Sequence, residues 1–491
     1  MKRPQLSRLE VVLLAVSLLA SIVYFAEVSH NSPTFFIDEA SIAYNAHTIS
    51  QSGVDEHGES FPLYFRAFGE YKNPVFIYLL AALFHFTGPS VFVGRLLSAI
   101  LGMIAALLLG LLATRVTKKR WAGPLIFLAV LLTPWAFEIS RLVFEVSIFP
   151  ALLAGFLLLL YKASLRAEWS WRIATGLGAL LGLMTYTYSI GRLLAPLFAL
   201  GLAFFFTRSR RRGVILTWIV FAVMLVPLAT FNLRHPGALS ERYKFVTYVK
   251  PGDTNTQIVL RFVKNYGGNF GPGNWFLKGD PEPRHHLQWY GSLLLGMVLL
   301  ATIGLVVVLR RHWREAWWRF ILYGLAVAPV PASLTLDHFH TLRLIALPIF
   351  LFVLMMPAIR FLSADTSPRP RARRALLATL AVLLLVQGGV FQWKFYAAPA
   401  RVDAFDSYYP ELLNAAMAQP ERPIYLLDKT PAAYMYAYWY STLRGLDLHS
   451  FQRATQAAPP PAGAVVISHE LPCTNCEMIL ERGQFRVYRQ K

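Results

Sequence analysis

Acidic residues are scarce in this chain. Only 27 Asp and Glu stand among 491 residues, and 15% of positions carry charge. A soluble globular domain is about 25% charged, so this shortage excludes an ordinary soluble enzyme and a charge-rich disordered chain. Cysteine is almost missing: the two residues, Cys473 and Cys476, lie near the C-terminus, which excludes a disulfide-built scaffold. No glycine-rich phosphate loop follows a strand into a helix, which argues against ATP or a nucleotide-sugar as substrate. Internal repeats and low-complexity tracts are also lacking.

Apolar residues fill the space that charge leaves. They make up 56% of the chain and come in blocks of roughly 18–22 residues, the length that crosses a hydrocarbon core of about 30 Å. The pattern predicts eleven spanning helices, near 9–29, 91–114, 121–138, 144–162, 172–188, 192–207, 213–231, 288–309, 317–334, 341–360 and 375–394. Residues 75–86, bounded by Lys72 and Gly88, are too short to cross and are expected to lie in the outer interface; were they to cross, the count would be twelve. The expected fold is an all-α polytopic membrane protein, with interfacial helices in its first external loop and a small α/β domain at its C-terminal end.

The formal net charge is +20, but its placement argues for topology rather than nucleic acid. Of the 47 basic residues, 23 fall in six short segments between apolar runs, around Lys2–Arg8, Arg115–Arg120, Lys162–Arg172, Arg208–Arg212, Arg310–Arg319 and Arg360–Arg374. The eleven-helix reading puts all six on one side, as the positive-inside rule requires. The N-terminus is therefore expected in the cytoplasm of a bacterial-type plasma membrane. The apolar run from Leu9 to Ala26 is long and no small-residue cleavage site follows it, so it reads as an uncleaved first helix rather than a signal peptide. The outer face then holds a first loop at 30–90, a long loop at 232–287 and a tail from 395. Two domains are expected: 1–394 in the membrane, and 395–491 outside, with strands at 424–427, 464–468 and 485–488 and a helix at 431–443.

Chemistry-bearing residues gather on this outer side. Asp38 and Glu39 are adjacent carboxylates beyond the end of a membrane helix. Acids at a helix start also suit its dipole, so position alone leaves two readings open. Asp55, Glu56 and Glu70, with Lys72 as a cation, make the rest of the loop a polar, acidic surface held at the membrane. Arg284, His285 and His286 cluster before a spanning helix, beside Trp289 and Tyr290, where an interfacial anchor is the plain alternative. His340 with Arg343, and Arg192 after Tyr188, repeat a cation at a helix entrance. A donor on this face has to be lipid-linked. A polyprenyl-phosphate sugar needs cations for its phosphate and a carboxylate to deprotonate the acceptor. A transporter or flippase of lipid-linked glycans is the competing class, though it would place charges at mid-membrane in repeated, broken helices.

These motifs also come in a familiar order: Asp38-Glu39, Gly-x-Asp-Glu, Phe-Gly-x-Tyr-Lys-x-Pro at 68–74, Tyr-x-x-x-Arg-Leu at 188–193, Gly-Asp-Pro-x-x-Arg-His at 279–285 and His-x-x-Arg at 340–343. Over roughly residues 9–360 the chain resembles integral membrane glycosyltransferases of the C superfold, especially the protein O-mannosyltransferases and the aminoarabinose transferases that modify lipid A. The resemblance implies a sugar donor on a polyprenyl monophosphate, an inverted glycoside product and an acceptor that it does not name. It implies Asp38 as general base, Glu39 as its assistant or as a positioner of the acceptor, and Lys72 against the carrier phosphate. Arg192, Arg284, His285 and Arg343 follow as further phosphate contacts, and Asp55, Glu56, Tyr71, His286 and His340 as pocket residues. Two departures stand out: Asn73-Pro74 replaces a pair of prolines, and the large extension of some relatives is missing. Metal use varies across the superfold. The histidines here lack a ligand spacing, so catalysis without metal or other cofactor is expected. Cys473 and Cys476 have no second pair to complete a zinc site and are expected to close a small disulfide loop.

Overall fold

The structure, a computed structural model, describes residues 6–29, 34–365, 369–429, 433–472 and 475–491. It divides into two compact units. One holds residues up to 26 with 98–398; the other holds 27–97 with 399–491.

The first unit is helical, and each expected spanning segment contains helix. Among the described residues of the chain, five helical stretches are long and apolar enough to cross a membrane: Arg8–Phe25, Val91–Thr117, Glu145–Ser164, Arg211–Arg234 and Pro370–Ala397. Such helices make the protein a multi-pass membrane protein. Two other segments are shorter than expected because proline interrupts them. Pro134 ends the run of helix Ala122–Leu132 and opens Pro134–Ile139, and Pro331 sits in a separate turn, Val330–Ser333, after helix Ala316–Val327. A proline has no N–H to give and crowds the preceding turn. Helix Arg8–Phe25 starts at a capping box: the Ser7 hydroxyl accepts the Glu10 N–H at 3.2 Å, and the Glu10 carboxylate accepts the Ser7 N–H at 2.8 Å. Helices Leu295–Arg311 and Ala346–Leu362 approach so closely at Gly304 that a Cβ there would overlap the Leu354 carbonyl oxygen. Small residues permit this backbone contact in membrane bundles.

The second unit combines the first loop with the tail. Helix Ile37–Ser52 ends at Gly53, whose φ of 72° suits glycine. A hairpin of β1 (Phe65–Ala67) and β2 (Glu70–Lys72) follows, and then helix Pro74–Thr87. Residues 75–86 are thus helical, as expected. The tail contributes β3 (Ile424–Asp428), β4 (Phe451–Ala454), β5 (Val465–His469), β6 (Cys476–Arg482) and β7 (Phe485–Gln490) in the order β4-β3-β5-β7-β6. β3 runs parallel to β4 and β5, and β7 runs antiparallel to β5 and β6. The α/β character and three of the strands match the expectation; β4 and β6 are additional.

One core joins the two segments of this unit. Phe35 stacks on Trp439 with ring centroids 5.2 Å apart, and Phe84 stacks on the same indole at 6.4 Å. The Arg95 guanidinium lies over the rings of Phe35 and Phe405, at 5.4 and 5.6 Å. This grouping differs from the sequence-based division into 1–394 and 395–491. Residues 27–97 pack with the tail because their aromatic side chains are buried against it. Cys473 lies outside the described residues, and with it the expected bridge to Cys476; no described cysteine is free.

Candidate functional site

Asp38 and Glu39 occupy the first turn of helix Ile37–Ser52, where successive side chains point about 100° apart. Glu39 turns inward and is fully buried. Its Oε2 accepts the Phe36 N–H at 2.9 Å and pairs with the Arg95 guanidinium at 3.1 Å; Arg95 also donates to the Thr34 carbonyl at 2.7 Å. Asp38 turns outward, 34% exposed, and accepts a hydrogen bond from the buried Lys72 ammonium at 2.7 Å.

Local structure fixes Lys72 from both sides. The hairpin turns through Phe68 and Gly69 with φ of 53° and 79°, the two positive values that a type I′ turn demands. Lys72 ends β2 and sits 5.3 Å above the Phe68 ring. Asn73 then takes the cap position and Pro74 the first turn of the next helix, which is the place for this Asn-Pro pair. Tyr71 pairs across the hairpin with Arg66 and is half-buried. Asp55 is buried and organises the preceding turn, its Oδ1 accepting the N–H groups of His57 and Glu59 at 2.8 and 2.9 Å. The neighbouring Glu56 side chain is 2% exposed. Burial pushes its carboxyl up to about 7, against the opposing pull of the Asn45 amide and the Lys72 charge.

In the helical unit, two loops meet around Asp280. Gly279 has a φ of 70°, and a Cβ there would strike the His286 ring, so glycine is required. Asp280 is buried. Its Oδ2 accepts the Thr341 N–H at 2.7 Å and the Thr341 hydroxyl at 2.5 Å, and lies 3.6 Å from His285 Nδ1. Burial raises the Asp280 carboxyl, but the adjacent His285 imidazole, with His340 and the Thr341 hydrogen bond, outweighs it and holds it well below the usual carboxylate range. Burial, reinforced by the charges of Arg343 and His285, pushes the His340 imidazole down to about 3, so it is neutral at pH 7. The rings of His285 and His340 lie 5.1 Å apart. One ligand atom from each of Asp280, His285 and His340 falls within 4.8 Å of the others.

The three residues fit a divalent cation. The donor set of two imidazoles and a carboxylate suits zinc, and the buried Nδ1 atoms of His285 and His340 have no hydrogen-bond partner among the described residues. This corrects the expectation that the histidines lack a ligand spacing. Their ligand geometry is made by two loops far apart in the chain.

The remaining predicted residues are engaged locally. His286 lies between Glu138 and the Tyr290 carbonyl, each at 2.6 Å. Burial lowers this imidazole and the Glu138 carboxylate overrides it, for a net rise. Arg284 grips Glu282 through two contacts of 2.7 Å. Arg343 pairs with Asp337 at 2.6 Å and donates to the Thr335 hydroxyl at 2.9 Å. Arg192 donates to the Leu239 carbonyl at 3.1 Å. The structure therefore brings Asp38 together with Lys72 in one unit, and His285, His340 and Arg343 together in the other. Asp280 and Arg95 are the partners that sequence reasoning left out. Asp280 stood inside a quoted motif, Gly279-Asp280-Pro281, and could have been found there.

No protein-family model and no curated protein matches this sequence. Solved structures do. ArnT from Cupriavidus metallidurans bound to undecaprenyl phosphate aligns over 97% of both chains with 15% identity and a TM-score of 0.50. AglB from Archaeoglobus fulgidus, an archaeal oligosaccharyltransferase in complex with an inhibitory peptide and a dolichol-phosphate, aligns over 94% of this chain with 12% identity and a TM-score of 0.57. The chain shares their fold. It spans nearly the whole of ArnT but 69% of AglB. The A. fulgidus oligosaccharyltransferase has also been solved in complex with Zn and sulfate, with a TM-score of 0.59 at 13% identity.

Proposed function

We propose that this protein is a membrane glycosyltransferase that moves a sugar from a polyprenyl-phosphate carrier to an acceptor on the outer face of the membrane, with inversion at the anomeric carbon. The observation that carries this reading is the Asp38–Lys72 pair, an outward carboxylate 2.7 Å from a buried cation, in a fold also found in proteins solved with polyprenyl-type phosphates.

Asp38 serves as general base. As the acceptor hydroxyl or amine attacks the anomeric carbon, a bond forms there, its proton passes to Asp38, and the bond from that carbon to the phosphate oxygen breaks. The electron pair leaves with the phosphate, whose growing charge Lys72 neutralises. Lys72 can do this because hairpin and helix hold it, so little reorganisation accompanies the charge transfer. Glu39 acts by fixing the helix end that carries Asp38. Asp55 and Glu56 hold the loop beside it. Asp280, His285 and His340 are the residues of the helical unit that would hold a divalent cation, which would supply a concentrated positive charge where it is bound.

The test is transfer by purified protein from a polyprenyl-phosphate sugar to a candidate acceptor. Asp38→Asn should lower turnover by about 10²–10⁴-fold while leaving carrier binding intact. Near-normal turnover in that variant, or residue 38 mapped to the cytoplasmic side by reporter fusions, overturns the reading. A carrier that changes leaflet without losing its sugar would point to transport instead.

A further inference from the structure

One end of the helical unit contains a cavity of about 890 Å³, and it does not belong to the site above. Its wall includes Lys118, Arg210, Arg311, Arg360 and Arg373, and one carboxylate, Glu315. These cations come from four of the six basic segments seen in the sequence and from five different helix ends, so the bundle gathers what the chain disperses. Glu315 does not balance them, because it accepts a hydrogen bond from His312 Nδ1 at 2.6 Å. Arg210 spends its donors on the carbonyls of Arg166 and Ser164, at 2.9 and 3.0 Å. Lys118, Arg311, Arg360 and Arg373 have no carboxylate partner among the described residues.

Two further observations point to an anionic ligand. The guanidinium groups of Arg311 and Arg373 lie over the Phe361 ring, at 4.9 and 4.3 Å, so that aromatic surface holds them at the wall. Trp317, also in the wall, is 4% exposed, and its indole N–H finds no acceptor among the described residues. Like charges gathered in one enclosed space repel, and a buried donor without an acceptor costs stability. A ligand with anionic acceptor oxygens relieves both.

The surroundings identify the source of that anion. The helices that supply Arg311 and Trp317, with the turn between them, also line an open groove of about 520 Å³, through Leu309, Trp313, Leu322 and Tyr323 and one cation, Arg319. Leu309 and Trp313 are each 51% exposed there. Leu309 and Trp313 of the groove flank Arg311 and His312 of the cavity in the chain, so a phosphate with acyl chains matches both the charge and the grease of this stretch; a free anion matches only the first. We propose that this cavity binds the headgroup of an anionic membrane phospholipid, with its chains along the Leu309–Trp313 face. Basic pockets between membrane helices recognise lipids of this kind.

Native mass spectrometry of the full chain, released from membranes holding phosphatidylcholine and phosphatidylglycerol or cardiolipin, tests this. The wild type should retain the anionic lipid with a preference of about ten-fold or more. The triple variant Arg311→Gln, Arg360→Gln, Arg373→Gln should lose it, while the matching Arg→Lys triple keeps it and reports on folding. Removing equal charge outside the cavity, by Arg8→Gln, Arg120→Gln and Arg172→Gln, should leave the preference unchanged. A wild type with no preference, a Gln triple that retains it, or an outer triple that loses it overturns the proposal.

Discussion

Asp38 and Glu39 are neighbours with opposite surroundings, and this divides what their substitution does. Glu39 is buried against Arg95 and caps the helix through the Phe36 N–H. Removing one member of a buried charged pair costs about 3–5 kcal/mol. Glu39→Gln should therefore lower thermal stability in detergent more than Asp38→Asn, whose partly exposed side chain keeps an oxygen for Lys72 to donate to; equal losses of melting temperature for the two variants would remove the distinction. Glu56 provides a pH signature. Its folded carboxyl titrates near 7 against an ordinary value of 4.5, so the unfolded chain releases this proton first. Stability from Glu56 is thus complete below about 4.5 and is lost as pH rises towards 7, by up to about 3 kcal/mol at ~1.4 kcal/mol per unit. Glu56→Gln should flatten the melting profile across that window, and an unchanged slope would mean that the carboxyl ionises freely.

At the scale of elements, each cluster depends on loops that its own unit folds into place. The turn through Phe68 and Gly69 and the helix starting at Pro74 deliver Lys72, and the loops around Asp280 and His340 deliver a cluster of metal-binding type. A cation bound there ties two loops together and favours the folded state, by about 2.7 kcal/mol at a hundred-fold excess over Kd. Zinc should raise the melting temperature of the wild type, a chelator should reverse the gain, and His340→Ala should abolish it; a wild type indifferent to zinc would show that the cluster binds none. Legibility follows the same logic. Asp38 and Lys72 were readable because short local motifs bounded by helix signals carry them. The Asp280, His285 and His340 grouping was not, because its spacing exists only after folding. Arg95 was hidden by the apolar helix around it. Strands β3, β5 and β7 announced themselves as apolar runs, while β4 and β6 lie at the sheet edges, carry exposed polar residues and gave no such signal.

For the molecule as a whole, the sequence's greasy blocks and basic clusters were enough to read a multi-pass helical protein with an α/β tail. They did not reveal that the first loop and the tail form one unit, since shared burial between distant segments leaves no local periodicity. Trp439 is the measurable link, fully buried and stacked on both Phe35 and Phe84. Trp439→Ala should cost about 3–5 kcal/mol and make residues 27–97 as well as the tail more sensitive to limited proteolysis. Cleavage confined to the tail would argue against a common core.

That common core also sets an order of events during synthesis. The segment bearing Asp38 and Lys72 emerges from the ribosome well before the side chains that enclose it. Until Trp439 arrives, the segment waits with Phe35 and Phe84 uncovered. A prematurely terminated chain therefore offers the cell's proteases an unfinished surface.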